Sequence, residues 1–380
     1  MVEHDYRHAR SRARLGRGCM LAIRRNDLGL SSRLKLFYSE GNHGMPSGMP
    51  LGMPPTLRIL VNVNGAIASA EEARISPLDH GFLYGDSVYE TVRTYLGKPF
   101  LLGRHLDRLQ RSLDRIFLPL PLSRREMEAE ILRTLASAQE KFSSLRGLKA
   151  PTGEDLGIRI VVSRGPGPIG LDVTKCPAST YLIYAFELAG DAVPPEASPH
   201  SNGEGISVVI SKTRRNSPRA LDPAIKSGNF LNNILAYKDA QDAGAQEALL
   251  CNAEGYLAEG TTSNVFVAKN DLVWTPNAYG ILDGITRGVL FEEAQRAGIT
   301  LGETNIPPEA LFSADEVFIT SSIRGVVPVT QVNSRIVGSG ARGIITHRFQ
   351  ELYAHRVERE CGPSASPSRK AKDGQTARKK

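Results

Sequence analysis

The residues best suited to covalent chemistry lie in the second half of the 380-residue chain. In Asp222-Pro-Ala-Ile-Lys226-Ser-Gly-Asn229-Phe230, Lys226 follows an apolar residue and stands at the mouth of a Gly/Asn-rich helix start. An isolated lysine before a helix is most often a surface charge. One partly withdrawn from water has a lowered pKa and can act as an imine-forming amine. Downstream, Gly255-Tyr-Leu-Ala-Glu259-Gly260-Thr261-Thr262-Ser263-Asn264 closes an apolar strand with an acid and turns on small hydroxyl residues. Glu259 reads either as a solvated strand end or as a carboxylate aimed at a ring nitrogen, beside amides and hydroxyls suited to an anion. In Gly280-Ile-Leu-Asp-Gly284-Ile285-Thr286-Arg287, Thr286 is the expected N-cap of a helix whose free N–H groups can hold a phosphate. Each segment alone is ordinary. Amine, carboxylate and phosphate-binding helix start, in that order, are what a pyridoxal-phosphate site requires.

Such residues must be brought together by flanking elements, and hydrophobic periodicity indicates which. Ile59 to Val63, the Asn64-Gly65 turn and Ala66 to Ser69 spell a hairpin, and Ser87 to Tyr95 followed by Gly97 spells another. Leu106, Leu109, Leu113, Ile116 and Phe117 mark one face of a helix, and 124–141 reads as a second. Residues 143–156 are expected to form a loop, and 157–163 and 180–186 buried strands. Residues 189–205 carry a Gly/Pro/Ser cluster without an apolar period and mark the interdomain linker. After it come a strand at 206–211, a helix at 229–243 with Leu231, Ile234 and Leu235 inward, and short strands between 246 and 275. A helix at 286–297, a strand at 316–320 and a helix at 343–356 follow. The expectation is a mixed α/β (α+β) chain with an N-terminal α/β domain (56–188) and a C-terminal cofactor-binding domain (206–356).

Composition excludes several classes. With 41% hydrophobic and 23% charged residues the chain can bury a large core. Its 36 Gly and 23 Pro follow no three-residue period, which removes collagen-like readings. Cys19, Cys176, Cys251 and Cys361 are too far apart for C-x-x-C pairs or a disulfide framework, so a cytoplasmic location is expected. No apolar run approaches the ~18 residues of a membrane helix. The net charge of +7 suggests nucleic acid until it is divided along the chain. Residues 1–55 hold nine Lys/Arg against four Asp/Glu, residues 356–380 hold eight against three, and the rest is mildly acidic. The basicity belongs to the ends, and no nucleic-acid partner is expected. Both ends, 1–55 and 357–380, read as disordered extensions. Three of the methionines fall in GMPSGMPLGMPP, which makes Met45, Met49 or Met53 a candidate translation start, ahead of a functional basic arm or an Arg-rich transit peptide. Gly165, Gly167 and Gly170 satisfy G-x-G-x-x-G, but Pro166 and Pro168 interrupt it and no helix start follows. His80 and His105 lack metal-ligand spacing and are expected to pack or hydrogen-bond; no metal is expected.

Taken together, DHGFLYGDSVYETVR (79–93), HLDRL (105–109), IRIVVSRGPGPIGLD (158–172), IKSGNFLNNILA (225–236), EALL with GYLAEGTTSNVFV (247–267), GILDGITR (280–287) and ADEVFITSSIRGVVPV (314–329) carry a family pattern. The chain resembles the fold-type IV (class IV) pyridoxal-phosphate aminotransferases from about Ile59 to Tyr353, with the branched-chain amino-acid aminotransferases closest in pattern. The resemblance implies two α/β domains with pyridoxal 5'-phosphate between them, in a homodimer whose partner helps close the pocket. It implies that Lys226 holds the cofactor and shuttles the proton between substrate Cα and cofactor C4′. Glu259 resembles the carboxylate that keeps the pyridine nitrogen protonated. Arg108 resembles the phosphate arginine, against the alternative that Arg104, Arg108, Arg111 and Arg115 form a solvated stripe. Ile285 and Thr286 would present amides to the phosphate and Ser322 a hydroxyl.

On the substrate side the resemblance points to Tyr84, Arg159, Ile323 and Arg324. Arg159 stands either as a strand-end surface arginine or as the partner of a glutamate side-chain carboxylate. The implied reaction moves an amino group between a branched-chain L-amino acid and 2-oxoglutarate. Four departures bear on it. Phe230 stands where many branched-chain enzymes have a tyrosine, and Gly157 replaces an aromatic found near the substrate in some. Ile169 and Leu171 occupy the positions of the Arg-x-His pair of D-amino-acid aminotransferases, which argues against that branch. Arg324 replaces a small residue and suits an acidic substrate, which raises the alternative of 4-amino-4-deoxychorismate lyase.

Overall fold

Asn64 and Gly65 both take left-handed backbone angles (φ 49° and 94°), the pair that a two-residue hairpin turn demands. They join β1 (Ile59–Val63) to β2 (Ala66–Ser69) in the expected hairpin. This computed structural model describes residues 58–145, 155–188 and 205–362. The expected extension at 1–55, the linker up to 204 and the tail beyond 362 lie outside the described residues.

A short helix, α1 (His80–Tyr84), leads into β3 (Ser87–Tyr95) and β4 (Lys98–Pro99), and two longer helices follow, α2 (Leu102–Arg115) and α3 (Arg124–Leu145). With β5 (Leu156–Ser163) and β6 (Thr180–Glu187) the first six strands form an antiparallel sheet in the order β2-β1-β6-β5-β3-β4. Leu106, Leu109 and Leu113 of α2 and Met127 and Ile131 of α3 bury against Val92, Ile158 and Ile160 of that sheet. The helix ends at Arg115, two residues before its apolar spacing does. Ile116 is its C-cap, and Phe117 turns left-handed (φ 54°) and is 86% exposed.

The second half opens with β7 (Ile206–Ile210), α4 (Leu231–Asp242), β8 (Glu247–Cys251), β9 (Leu257–Gly260), β10 (Asn264–Lys269) and β11 (Leu272–Pro276). It continues with α5 (Ile285–Ala297), β12 (Leu301–Thr304), β13 (Glu316–Ser321), β14 (Gly325–Val332), β15 (Arg335–Ile336) and α6 (Ile344–Cys361). Its strands make a mixed sheet in the order β12-β11-β10-β13-β14-β7-β8-β9, with β15 paired to β14. Helices α5 and α6 cover one face through Val289, Leu290 and Phe349 on Phe266 and Phe318. Glu293 of α5, buried, receives Arg296 from its own helix and Arg356 and Arg359 from α6. These pairs carry α6 on to Cys361, five residues past its expected end and into the segment expected to be disordered.

Helix α4 is rotated from the expectation. Asn233, Ala236 and Ala240 face inward, packed with Val209, Ala248 and Leu250, while Leu231, Ile234 and Leu235 are 67%, 59% and 53% exposed. Alanines let the helix approach β7 and β8 closely, and the periodicity of large apolar residues tracked an outer face instead. Among the described residues no helix is long and apolar enough to cross a membrane.

Candidate active site

The site is assembled from β3 and α2 on one side and from the turns that end β9, start α5 and follow β13 on the other. Glu90 of β3 is fully buried beneath α2 and accepts from Arg108 twice, from Nε at 2.7 Å and Nη2 at 2.8 Å. His105 Nδ1 lies 2.8 Å from the same carboxylate. Burial pushes the Glu90 carboxyl up, but Arg108 and His105 outweigh it and hold it well below the usual carboxylate range. Burial likewise lowers His105, against the pull of Glu90. Arg108 Nη1 donates to the Asp283 carbonyl at 2.6 Å, so three of the five N–H groups of a guanidinium are engaged. Arg104, Arg111 and Arg115, its companions along the helix, are more exposed and pair with Glu292, Asp283 and Asp222.

At the start of α5 the cap is Gly284 (φ −68°, ψ 129°), not Thr286 as expected, and no side chain caps the helix. A Cβ at 284 would fall 1.9 Å from Asn264 Oδ1, which excludes a larger capping residue. Thr286, the second helical residue, is buried instead. The first amides of α5 therefore remain uncapped by a side chain at an electropositive helix end.

Lys226 lies in the turn before α4, fixed by its backbone. Its N–H donates to Ser112 Oγ at 3.2 Å and its carbonyl accepts from Tyr89 N at 2.9 Å. The Lys226 Nζ stands 4.4 Å from the centre of the Tyr89 ring, which also meets the Arg159 guanidinium at 3.9 Å and the edge of Phe230 at 5.3 Å. Glu259, buried in β9, accepts from Arg215 Nε at 2.7 Å and from Leu282 N at 3.0 Å. Arg324 Nη2 donates to Glu247 at 2.6 Å.

A cavity of about 1380 Å³ is lined by Lys226, Glu259, Arg108, Ile285, Thr286, Ser322, Arg159, Ile323 and Arg324. Small-molecule pockets commonly span about 300–1,000 Å³, so this one has room for a cofactor and a substrate together. Tyr84 does not reach it. Its hydroxyl accepts from Gly170 N at 3.0 Å and its ring packs edge-on to His80, which also approaches the Pro168 carbonyl. Tyr89 lines the cavity from the same segment. Gly157 is covered by the neighbouring strand, where a Cβ would fall 2.2 Å from the Phe186 ring.

The residues present suit a phosphorylated pyridine aldehyde. Thr320 Oγ1 is buried, lines the cavity and has no hydrogen-bond partner among the described residues. The uncapped α5 amides and the N–H groups of Arg108 left over from Glu90 and Asp283 are donors for a phosphate. Sequence reasoning missed Tyr89, Glu90, Arg215, Glu247 and Thr320. Glu90 lies beside Thr91 and Arg93 and Glu247 follows Gln246, so neither acid stands out by type in its segment.

Known proteins share this architecture. The sequence profile of the class IV amino-transferases matches residues 87–332. A Methanocaldococcus jannaschii protein provisionally named as a branched-chain-amino-acid aminotransferase is 36% identical over 294 residues, covering 77% of this chain and 94% of its own. The aminodeoxychorismate lyase of Bacillus subtilis is 32% identical over 300 residues, covering 79% and 95%. The branched-chain amino acid aminotransferase of T.th., solved in complex with N-(5'-phosphopyridoxyl)-L-glutamate, matches with a TM-score of 0.66 at 27% identity, over 79% of this chain and 94% of that one. With a profile match spanning most of both sheets and a cavity lined by lysine, carboxylate and arginine, the chain belongs to the class IV amino-transferase family.

Proposed function

We propose that the protein is a pyridoxal-phosphate transaminase that moves an amino group between a branched-chain L-amino acid and 2-oxoglutarate. The observation that carries this reading is the placement of Lys226, Glu259 and Arg108 around one cavity in which, among the described residues, Arg159 is the arginine without a carboxylate partner. An unpaired cation held over an aromatic face suits a substrate that brings its own second carboxylate, as glutamate does. Tyr89, Phe230, Ile225 and Ile323 line the same cavity and suit a branched aliphatic side chain.

Pyridoxal phosphate, when bound, supplies an aldehyde for the amine and a sink for the electrons of the bond broken at Cα. Arg108, the Ile285 and Thr286 amides and the Ser322 hydroxyl would hold its phosphate. Glu259, oriented by Arg215 and Leu282 N, would keep the ring nitrogen protonated. Lys226 Nζ, anchored through Ser112 and Tyr89, would take the proton from Cα and return it at C4′. We assign the protein to the cytoplasm as a homodimer. Phe82 on α1 and Leu231, Ile234 and Leu235 on α4 are exposed apolar residues that a second copy would cover, and Asn229, just before α4, donates to the Gly85 carbonyl at the end of α1.

The second reading, aminodeoxychorismate lyase, is supported by the similarity to the Bacillus subtilis enzyme of that name. Incubation with glutamate and 4-methyl-2-oxopentanoate, and separately with aminodeoxychorismate, decides between them. Formation of 2-oxoglutarate and leucine supports the transaminase; pyruvate release from aminodeoxychorismate without 2-oxoglutarate formation supports the lyase.

A further inference from the structure

Arg324 lines the cavity, and its Nη2 is engaged by a buried carboxylate. Its partner Glu247 opens β8, is 1% exposed and is saturated by donors. Besides Arg324 Nη2 at 2.6 Å, it accepts from the Thr261 amide at 3.0 Å, the Thr261 hydroxyl, Ser263 Oγ at 3.2 Å and the Ala248 amide at 3.1 Å. Thr262 Oγ1 approaches both Glu247 and Arg324. The Thr261–Ser263 turn continues directly from Glu259, and Arg324 follows Ser322 and Ile323. The opposite side of that second loop is held by Arg93 of β3, which donates to the Ile323 carbonyl at 2.8 Å. Drawing the guanidinium away from Glu247 would leave a buried carboxylate without its cationic partner, which costs several kcal/mol.

We infer that Glu247 and Arg324 form a strut that fixes the 321–324 loop against the 261–263 turn, and that Arg324 is a positioning residue for the cofactor-holding groups and not a reader of substrate charge. The strut rests on the transaminase reading only for the choice of amino donors. Its effect on cofactor retention stands apart from any substrate. Substituting either partner frees the loop that carries Ser322 and Ile323, so the contacts to the phosphate suffer first. It also leaves Arg159 as the cation for a second carboxylate.

The test uses Arg324→Gln, Glu247→Gln and the double variant, each stripped of cofactor and titrated by equilibrium dialysis with pyridoxal phosphate and with pyridoxal. A strut predicts weaker pyridoxal-phosphate binding in each single variant, by roughly ten- to a hundredfold for a lost charge-assisted hydrogen bond. Pyridoxal, which lacks the phosphate, should shift less than about threefold, and the double variant should be no weaker than the worse single one. KM for glutamate and for leucine should move together in Arg324→Gln. Unchanged pyridoxal-phosphate affinity, equal losses for pyridoxal, additive losses in the double variant, or a rise in KM confined to glutamate would each overturn the strut. If Glu247→Gln does not fold, Arg324→Gln carries the test, since Glu247 then keeps its donors from Thr261, Ser263 and the Ala248 amide. If the wild type transaminates neither donor, the functional reading falls while the dialysis still decides the strut.

Discussion

The Glu90→Gln substitution probes how the phosphate arginine is held. Glu90 accepts two hydrogen bonds from Arg108, at 2.7 and 2.8 Å, and meets His105 at 2.8 Å, all in a fully buried environment. Glutamine keeps one acceptor oxygen but turns an amide donor toward either the guanidinium or the imidazole. Breaking a buried pair by neutralising one partner costs about 3–5 kcal/mol, a large share of a total stability of about 5–15 kcal/mol. Once Arg108 is no longer locked, losing one charge-assisted bond to the phosphate removes a further ~1.5–3 kcal/mol of cofactor binding, or about 10- to 150-fold in affinity. Urea unfolding of the apoprotein and dialysis against pyridoxal phosphate read the two effects separately. The sign with pH is also fixed. A carboxyl whose folded pKa is depressed stabilises above its unfolded value of ~4.3 and loses that contribution as pH falls through the folded pKa. Glu90→Gln should therefore flatten the loss of stability below about pH 5. A variant within about 1 kcal/mol of wild type at pH 7 that also binds the cofactor within threefold would refute the reasoning, because it would show that the buried carboxylate neither stabilises nor orients Arg108.

Arg159→Gln should raise KM for glutamate at least tenfold, as expected for a lost charge-assisted contact, and leave KM for leucine within about threefold; equal changes for both donors would remove Arg159 from substrate recognition. Gly157→Ala places a Cβ 2.2 Å from the Phe186 ring and should lower stability by about 1–3 kcal/mol in thermal unfolding, with Phe186→Leu as the compensating change. An unaltered Tm would show that the ring has somewhere else to go. Burial pushes Glu293 up, but Arg359, Arg356 and Arg296 hold it below the usual range, so its stabilisation is present above ~pH 4.3 and fades as pH falls. The Tm gap between wild type and Glu293→Gln should accordingly narrow between pH 7 and pH 3, and a constant gap would contradict the pairing.

Much of the fold was legible because local signals agreed with it. The Asn64-Gly65 turn, the strand at Ser87–Tyr95 and the helix starting at Arg124 stand as their patterns predict. Misreadings arose where tertiary context reverses a local pattern. In α4 the larger apolar residues face outward and alanines face the sheet, which periodicity of size alone inverts. Phe117 continued the α2 stripe in sequence, but its left-handed backbone ends the helix first. Lys226 and Glu259 stand out by residue type in their segments, Arg108 and Arg159 only through the family resemblance, and all four line one cavity. Arg215, Glu247 and Glu90 could not be picked out, because a buried ion pair is a relation between distant positions and neither member announces its partner. Tyr84 and Tyr89 show the same limit on a smaller scale. Both are tyrosines within five residues of one another, and only the tertiary fold decides that Tyr89 faces Lys226 while Tyr84 turns to Gly170.

The central claim is that the ε-amine of Lys226 is the group that holds the cofactor. Borohydride reduction of the reconstituted protein followed by peptide mapping tests it directly. The account predicts a phosphopyridoxyl group on Lys226 and on no other lysine, with the label and turnover both lost in Lys226→Ala; a label on a different lysine, or full turnover in that variant, would contradict it.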